Sequence, residues 1–121
     1  MKHFKQLRIW QLGIDISLRC FRLTSNFPTD ERYSLGNQIR RSAYSIPSNI
    51  AEGSSRSSQK DHLRFIEIAI GSAFELETQL ILSGNFYPDL SELVNEIQTL
   101  LTSEMKMMQT YSQKIRNDQV M

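Results

Sequence analysis

The sequence predicts an all-α protein, an antiparallel up-down-up-down bundle of four helices. Apolar residues recur at spacings of three and four along four long stretches. Three Pro and five Gly among 121 residues are few for a β protein that needs many tight turns. We expect one domain with helices over residues 4–25, 30–52, 59–83 and 89–116. Long helices joined by short connections pack antiparallel, and such a bundle closes into a ring-like homo-oligomer if its subunits repeat about an axis.

The first predicted helix carries two apolar stripes on nearly opposite faces. The stripe predicted to face the core consists of Leu7, Trp10, Ile14, Leu18 and Phe21. The second stripe consists of Ile9, Ile16, Cys20 and Leu23. A surface helix of a monomer needs only one apolar face. We therefore predict that the second stripe meets another subunit of a homo-oligomer.

The second predicted helix begins at an N-cap and contains a proline. Thr29 precedes two acidic residues, which is typical of a helix start. Pro47 lacks the backbone donor of a helix interior, but Ile50 keeps the helical phase of Ile46. This spacing predicts a kink at Pro47 rather than an end. Gly53 is predicted to end the helix as a left-handed C-cap.

The third and fourth predicted helices are defined by their ends. Ser58 and Asp61 form a pattern like a capping box at the start of the third helix, which is the most apolar of the four. Glu77 falls inside an apolar sector of that helix and predicts a buried carboxylate, paired with Trp10, Asn49 or an arginine of the second helix. Gly84 and Pro88 are predicted to separate the two helices, and the tail at 117–121 is predicted to fray.

Charge is divided unevenly along the chain. The formal net charge is +1. Residues 1–64 nevertheless hold 11 basic and 5 acidic residues, whereas 65–121 hold 3 basic and 8 acidic ones. Such asymmetry indicates either a basic surface for nucleic acid or basic and acidic helices that pair inside one fold. The single Cys excludes an internal disulfide framework.

Residues for catalysis and for metal binding are scarce. Nucleophilic catalysis needs a base beside the nucleophile, and the only histidines are His3 and His62. Cys20 lies on an apolar stripe, which favours a small buried hydrophobe. No Glu precedes a His by three residues, no set of ligands fits zinc, and no phosphate-binding loop is present. We expect no enzyme, no cofactor and no metal site, and we expect a cytoplasmic protein without a membrane span.

The outer side of the second helix and the residues after it form the candidate site. Phosphate contacts are predicted for Arg40, Arg41, Arg56, Lys60 and Arg64. The rings of Tyr33 and Tyr44 are predicted to stack on unpaired bases. Tyr and Arg are also enriched in protein interfaces, so the same surface predicts either RNA or DNA binding or a contact with a subunit or protein partner.

Several runs resemble a known family. They are FPTDERY at 27–33, QIRRSA at 38–43 and SIPSNIAEG at 45–53, with further matches at 7–11 and 71–78. Over about residues 6–115 the chain resembles the bacterial four-helix-bundle proteins encoded in intervening sequences of 23S ribosomal RNA genes. A related branch comprises the accessory variability proteins of diversity-generating retroelements. That resemblance implies a homopentamer that associates with a reverse transcriptase and with nucleic acid through a basic surface.

Overall fold

The computed structural model describes residues 3–120 and consists of helices. Four long helices are α1 (Arg8–Ser25), α3 (Leu35–Ser54), α4 (Gln59–Phe86) and α5 (Ser91–Val120), and α2 (Thr29–Arg32) is a single turn. Short 3₁₀ turns precede α1 at Phe4–Gln6 and α5 at Pro88–Leu90. The predicted class is confirmed: the chain is all-α, with four helices packed in a bundle. No helix in the described range is long and apolar enough to cross a membrane.

The long helices pack in the order of the chain. Thr24, near the end of α1, accepts a hydrogen bond from Arg40, near the start of α3. Gln98 of α5 donates to the Glu77 carbonyl of α4, and α5 also packs against α1. Neighbouring helices therefore run in opposite directions. Each long helix packs against the next one in the chain and α5 packs back against α1, so α1 and α3 form one side of the bundle and α4 and α5 form the other.

Aliphatic side chains from all four long helices fill the core. The largest fully buried side chains are Ile16, Leu23, Phe27, Ile39, Ile46, Ile50, Ile66, Leu76, Leu80, Ile97, Leu101 and Met108. Burying one such side chain contributes about 1.5–3 kcal/mol to folding. Phe27, in the connection after α1, packs against Tyr87, in the connection after α4, with ring centroids 4.8 Å apart. These two aromatic rings close one end of the core.

The assignment of the two stripes of α1 was wrong. The stripe predicted to lie between subunits, Ile9, Ile16, Cys20 and Leu23, is buried in the core of this chain. Leu18 and Phe21, predicted to be in the core, are instead 60% and 45% exposed. The physical reason is size: the buried face also carries Gly13 and Ser17, and small residues let α1 approach its neighbours closely.

In α3, the helix does not end at Pro47, as predicted, but Gly53 does not take the predicted role of a C-cap. The helix continues through Pro47 to Ser54. No described residue has a positive φ, so Gly53 is not a left-handed cap. It lies inside the helix, where a Cβ atom would be 3.0 Å from Cβ of Phe65. The glycine therefore permits a close approach of α3 to α4. The helix also starts later than predicted, because the chain bends at Tyr33 and Ser34 between α2 and α3.

Helices α4 and α5 are longer than predicted. Ser58 caps α4 as expected, since its hydroxyl accepts from the backbone N–H of Asp61 at 3.1 Å. Helix α4 continues to Phe86, beyond the predicted break at Gly84. Helix α5 includes residues 117–120, which were predicted to fray, whereas Met121 lies outside the described residues.

Candidate nucleic-acid interface

Arg41 and Tyr44 lie on the outer side of α3, between two shallow grooves. Both project outward because Ile39, Ala43 and Ile46 of the same helix turn into the core. Tyr44 is 47% exposed. The groove toward α1 has a volume of about 460 Å³ and is lined by Phe21, Asn37, Arg40, Arg41 and Tyr44. The groove toward α4, about 450 Å³, is lined by Gln38, Arg41, Ser42, Tyr44, Ser45, Ser72, Glu75 and Gln79.

The two neighbouring arginines of α3 have different environments. Arg40 is half-buried, and its Nε donates to the Thr24 hydroxyl at 2.8 Å. Its guanidinium carbon also lies 5.2 Å from the ring centroid of Phe21, within range of a cation–π contact. Arg41 is exposed and has no acidic partner among residues 3–120. Arg40 therefore helps to hold α1 against α3, and Arg41 is the freer group for an external anion.

A second group of predicted residues surrounds the connection between α3 and α4. The guanidinium carbons of Arg56 and Arg64 lie 4.7 Å and 4.6 Å from the ring centroid of Phe65. Arg56 also pairs with Glu52 at 2.5 Å, so its charge is partly neutralised. Arg64 lies 4.0 Å from Asp61, a weak and exposed pair. Lys60 is exposed and has no ion-pair partner in the described part of the chain.

The predicted residues are spread along α3 and the start of α4 rather than gathered in one pocket. Tyr33 is 78% exposed and lies between α2 and α3, at the end of α3 opposite Arg56. Arg41 and Arg56 are separated by about 20 Å along the helix axis, since an α-helix rises about 1.5 Å per residue. The structure therefore does not bring all seven residues together. An extended chain with repeating charges fits this arrangement better than a small molecule does.

The division of charge largely survives folding. Of the five ion pairs among the described residues, only Arg19–Glu96 joins the basic first 64 residues to the acidic remainder. The other four pairs lie within one half of the chain. Since α1 and α3 belong to the basic half and α4 and α5 mainly to the acidic half, opposite sides of the bundle carry opposite charge.

Apolar side chains are exposed on both sides of the molecule. On α1 they include Leu18 and Phe21. On α4 they are Ile68, Phe74, Ile81, Leu82 and Phe86. A contiguous exposed apolar patch is typical of a surface that contacts another protein. These residues are therefore a second set of candidates for a subunit or partner contact, different from the predicted set.

The buried carboxyl group of this fold belongs to Glu104, not to Glu77. Glu77 is half-buried, whereas Glu104 is fully buried. A Cβ atom placed on Gly13 would lie 3.2 Å from Oε2 of Glu104, so the carboxyl group fits against that glycine. Neither carboxyl oxygen of Glu104 has a hydrogen-bond partner among the described residues, and burial raises its pKa to about 8. The sequence pattern that indicates a buried Glu104 is its helical spacing from Leu101 and Met108, which places all three residues on one face.

The chemistry of the remaining titratable groups is limited. Burial raises the pKa of the Cys20 thiol to about 12, which keeps it protonated and weakly nucleophilic at neutral pH. The buried His62 ring lies 3.3 Å from the Tyr111 hydroxyl, measured from Nε2. Within residues 3–120, no cluster of three or more His, Cys, Asp or Glu side chains has a geometry that could hold a metal ion.

Comparison with known proteins identifies the family. A protein from Bacteroides thetaiotaomicron, of unknown function and from the S23 ribosomal protein family, has a similar crystal structure with a TM-score of 0.77. The match covers 86% of this chain and 97% of that chain, and at 22% sequence identity it shows the fold alone. No curated protein sequence matches the chain. The model of the 23S rRNA-intervening sequence protein family matches residues 5–110, and the chain therefore belongs to that family.

Proposed function

We propose that this chain is a non-enzymatic, homo-oligomeric helical scaffold that binds RNA or DNA through the basic side formed by α1, α3 and the first turns of α4. The observation that carries the proposal is the charge left on that side after folding. Arg22, Arg41 and Lys60 are exposed and lack acidic partners among the described residues. Basic groups of this kind neutralise phosphates and release counterions, which favours binding at low salt.

Single-stranded nucleic acid suits the spacing of the site better than a duplex does. Arg41 and Lys60 would contact phosphates, with Arg56 and Arg64 contributing less because each has an acid nearby. The exposed rings of Tyr33, just before α3, and Tyr44, within it, offer two stacking positions. Stacking on an aromatic ring contributes about 1–3 kcal/mol per base and tolerates different sequences.

Self-association would cover the exposed apolar side chains. The exposed apolar side chains of α4, among them Phe74 and Ile81, would contact another copy head to tail, and the basic side would stay free for nucleic acid. A head-to-tail contact of this kind closes into a ring when its rotation closes. The family resemblance favours five subunits, and it also favours a reverse transcriptase or another protein as a partner.

The second candidate is a protein-interaction module without nucleic-acid binding. It is favoured by the arrangement around Arg40, where the guanidinium group is already stacked on Phe21 beside the exposed ring of Tyr44. Aromatic and Arg side chains in contact are typical of the centres of protein interfaces.

One pair of matched variants separates the two candidates. Arg41→Glu/Lys60→Glu reverses two unpaired charges on the basic side, and Lys106→Glu/Lys114→Glu makes the same change on exposed positions of α5. Arg40 is left intact because it holds α1 against α3. Binding to a labelled single-stranded RNA is measured by fluorescence anisotropy at low salt, and the subunit number by light scattering.

The proposed function predicts that the first variant loses on the order of tenfold or more in affinity and keeps its subunit number. The α5 variant should bind nearly as well as the unmodified protein. Loss of assembly in the first variant would favour the interface candidate. Absence of RNA and DNA binding by the unmodified protein at low salt would refute the proposed function.

A further inference from the structure

The groove between α3 and α4 has a polar floor whose groups satisfy one another. The hydroxyl oxygens of Ser45 and Ser72 are 2.8 Å apart and share a hydrogen bond. Asn49 donates to the Ser45 hydroxyl at 2.9 Å and to the Ser45 carbonyl at 2.8 Å. The floor is therefore fixed by its own hydrogen bonds. Recognition in this groove depends on the side chains of its walls.

The walls combine an aromatic ring, a cation and an anion. Tyr44 and Arg41 stand on the α3 side, and Glu75 and Gln79 stand on the α4 side. Glu75 is exposed and, within the described residues, makes no ion pair or hydrogen bond. Its carboxylate accepts hydrogen bonds and repels phosphates. A ligand that fits all three walls carries a planar ring and a hydrogen-bond donor, with any phosphate on the side of Arg41.

An unpaired nucleobase satisfies each of these requirements. Its ring can stack on Tyr44 while its phosphate contacts Arg41. Its edge then faces Glu75, and a carboxylate accepts a hydrogen bond from the N4 amino group of cytosine. Uracil carries a carbonyl oxygen at the same position, which a carboxylate disfavours. The groove volume of about 450 Å³ lies within the range of small-molecule sites.

We propose that the groove between α3 and α4 is a nucleobase site in which Glu75 selects cytosine over uracil. The proposal rests on the proposed function, because it assumes that a single strand binds along α3. The nucleobase site adds a preference for one base over another, which phosphate contacts alone do not give. Glu75 acts here as a specificity-determining residue.

The main test compares two oligonucleotides and three proteins, and Tyr44→Ala serves as a further variant. Labelled C8 and U8 RNA are titrated with the unmodified full chain, with Glu75→Gln and with Glu77→Gln, at pH 7.5 and low salt. Glu77→Gln is the matched control because it removes one charge from the same helix on the flank toward α5, where the Glu77 carbonyl accepts from Gln98. The readout is the ratio of the two affinities, in which a general effect of charge cancels.

The expected result is that the unmodified protein binds C8 about five- to tenfold more tightly than U8. In Glu75→Gln this ratio should fall close to one, since the amide can donate to the uracil carbonyl as well as accept from cytosine. In Glu77→Gln it should be unchanged. Tyr44→Ala should weaken the binding of both RNAs, and its circular dichroism spectrum should remain helical because Tyr44 lies on the surface.

Two results would overturn this inference and leave the proposed function standing. One is equal binding of C8 and U8 by the unmodified protein, and the other is a preference that Glu75→Gln retains. A change of subunit number in Glu75→Gln would assign the groove to a subunit contact and would also overturn the inference. If neither RNA binds at low salt, the proposed function itself fails and the nucleobase site fails with it.

Discussion

Substitution of Glu104 by glutamine is predicted to change how the free energy of unfolding depends on pH. The carboxyl group of Glu104 lies in the centre of the bundle against Gly13, whose neighbour across the helix contact is Pro47. Neither α1, which carries Gly13, nor α3, which carries Pro47, places a charged group beside this carboxyl, and burial is the cause of its raised pKa. A neutral amide of nearly the same shape removes the titration and leaves the packing almost unchanged.

The size of the effect follows from the pKa of the Glu104 carboxyl in the two states. Burial raises it from an ordinary value of 4.5, which applies to the unfolded chain, to about 8. Below pH 4.5 both states are protonated, so this group makes no pH-dependent contribution. Between these two values the unfolded chain loses its proton first, and the free energy of unfolding falls by about 1.4 kcal/mol per pH unit. The loss reaches about 3 kcal/mol at pH 7 and about 5 kcal/mol well above pH 8.

The assay is urea unfolding followed by circular dichroism at pH 5, 7 and 9, at fixed ionic strength and protein concentration. The stability advantage of Glu104→Gln over the unmodified protein should grow from pH 5 to pH 9. Glu92→Gln, at an exposed carboxyl of α5, should leave the pH dependence unchanged. Glu104→Met should be more stable than Glu104→Gln at every pH, because it leaves no buried amide without a partner.

Parallel pH profiles of the two proteins would show that burial does not raise the pKa of Glu104. If the unmodified protein and Glu104→Gln change in stability by equal amounts between pH 5 and pH 9, the carboxyl group titrates near its ordinary value. The group would then be reached by water or paired with a donor in the folded protein.

Two further predictions concern packing. Gly13→Ala should destabilise the protein by about 1–2 kcal/mol, because its Cβ would lie 3.2–3.3 Å from Glu104 and Pro47. At the exposed Gly71 the added Cβ meets no described atom within 4 Å, so Gly71→Ala should stabilise the protein by about 0.5–1 kcal/mol. Urea unfolding measures both changes, and equal effects would contradict the close packing at Gly13. Cys20 should react with a thiol reagent only as fast as the protein unfolds, and rapid labelling of the folded protein would contradict its burial.

The fold class was predictable because helical spacing and short connections leave few arrangements. Which face of α1 turns inward was not predictable in the same way. Both stripes have apolar residues at helical spacing, and the choice depends on how closely α1 can approach α3. Gly13 allows that approach, since a Cβ atom placed on it would lie only 3.3 Å from side-chain atoms of Pro47, whereas a face bearing Phe21 does not.

The ends of the helices were also only partly predictable from the sequence. Ser58 caps α4 through a local hydrogen bond, which a sequence pattern captures. Gly53 has a role that depends on a residue of another helix, Phe65, and local spacing cannot reveal it. The last turns of α5 remain helical beside the ion pair of Arg116 with Glu67, which is likewise a contact between distant residues.

The candidate site was predictable in composition but only partly in arrangement. Charge and aromatic content identify the outer side of α3, and Arg41 and Tyr44 do lie there beside two grooves. The internal contacts of Arg40 with Thr24 and Phe21 come from α1 and require the folded chain. The same is true of Glu75, which becomes part of the groove only when α4 packs beside α3.

The salt dependence of RNA binding tests whether the basic side binds single-stranded nucleic acid. Affinity for a labelled single-stranded RNA is measured from 50 to 300 mM salt and plotted as log K against log salt. With Arg41, Lys60 and the weaker Arg56 and Arg64 as contacts, the predicted slope is about −1.5 to −3, from about −0.7 for each phosphate neutralised. A slope near zero, or no binding at 50 mM salt, would show that these basic residues do not hold nucleic acid.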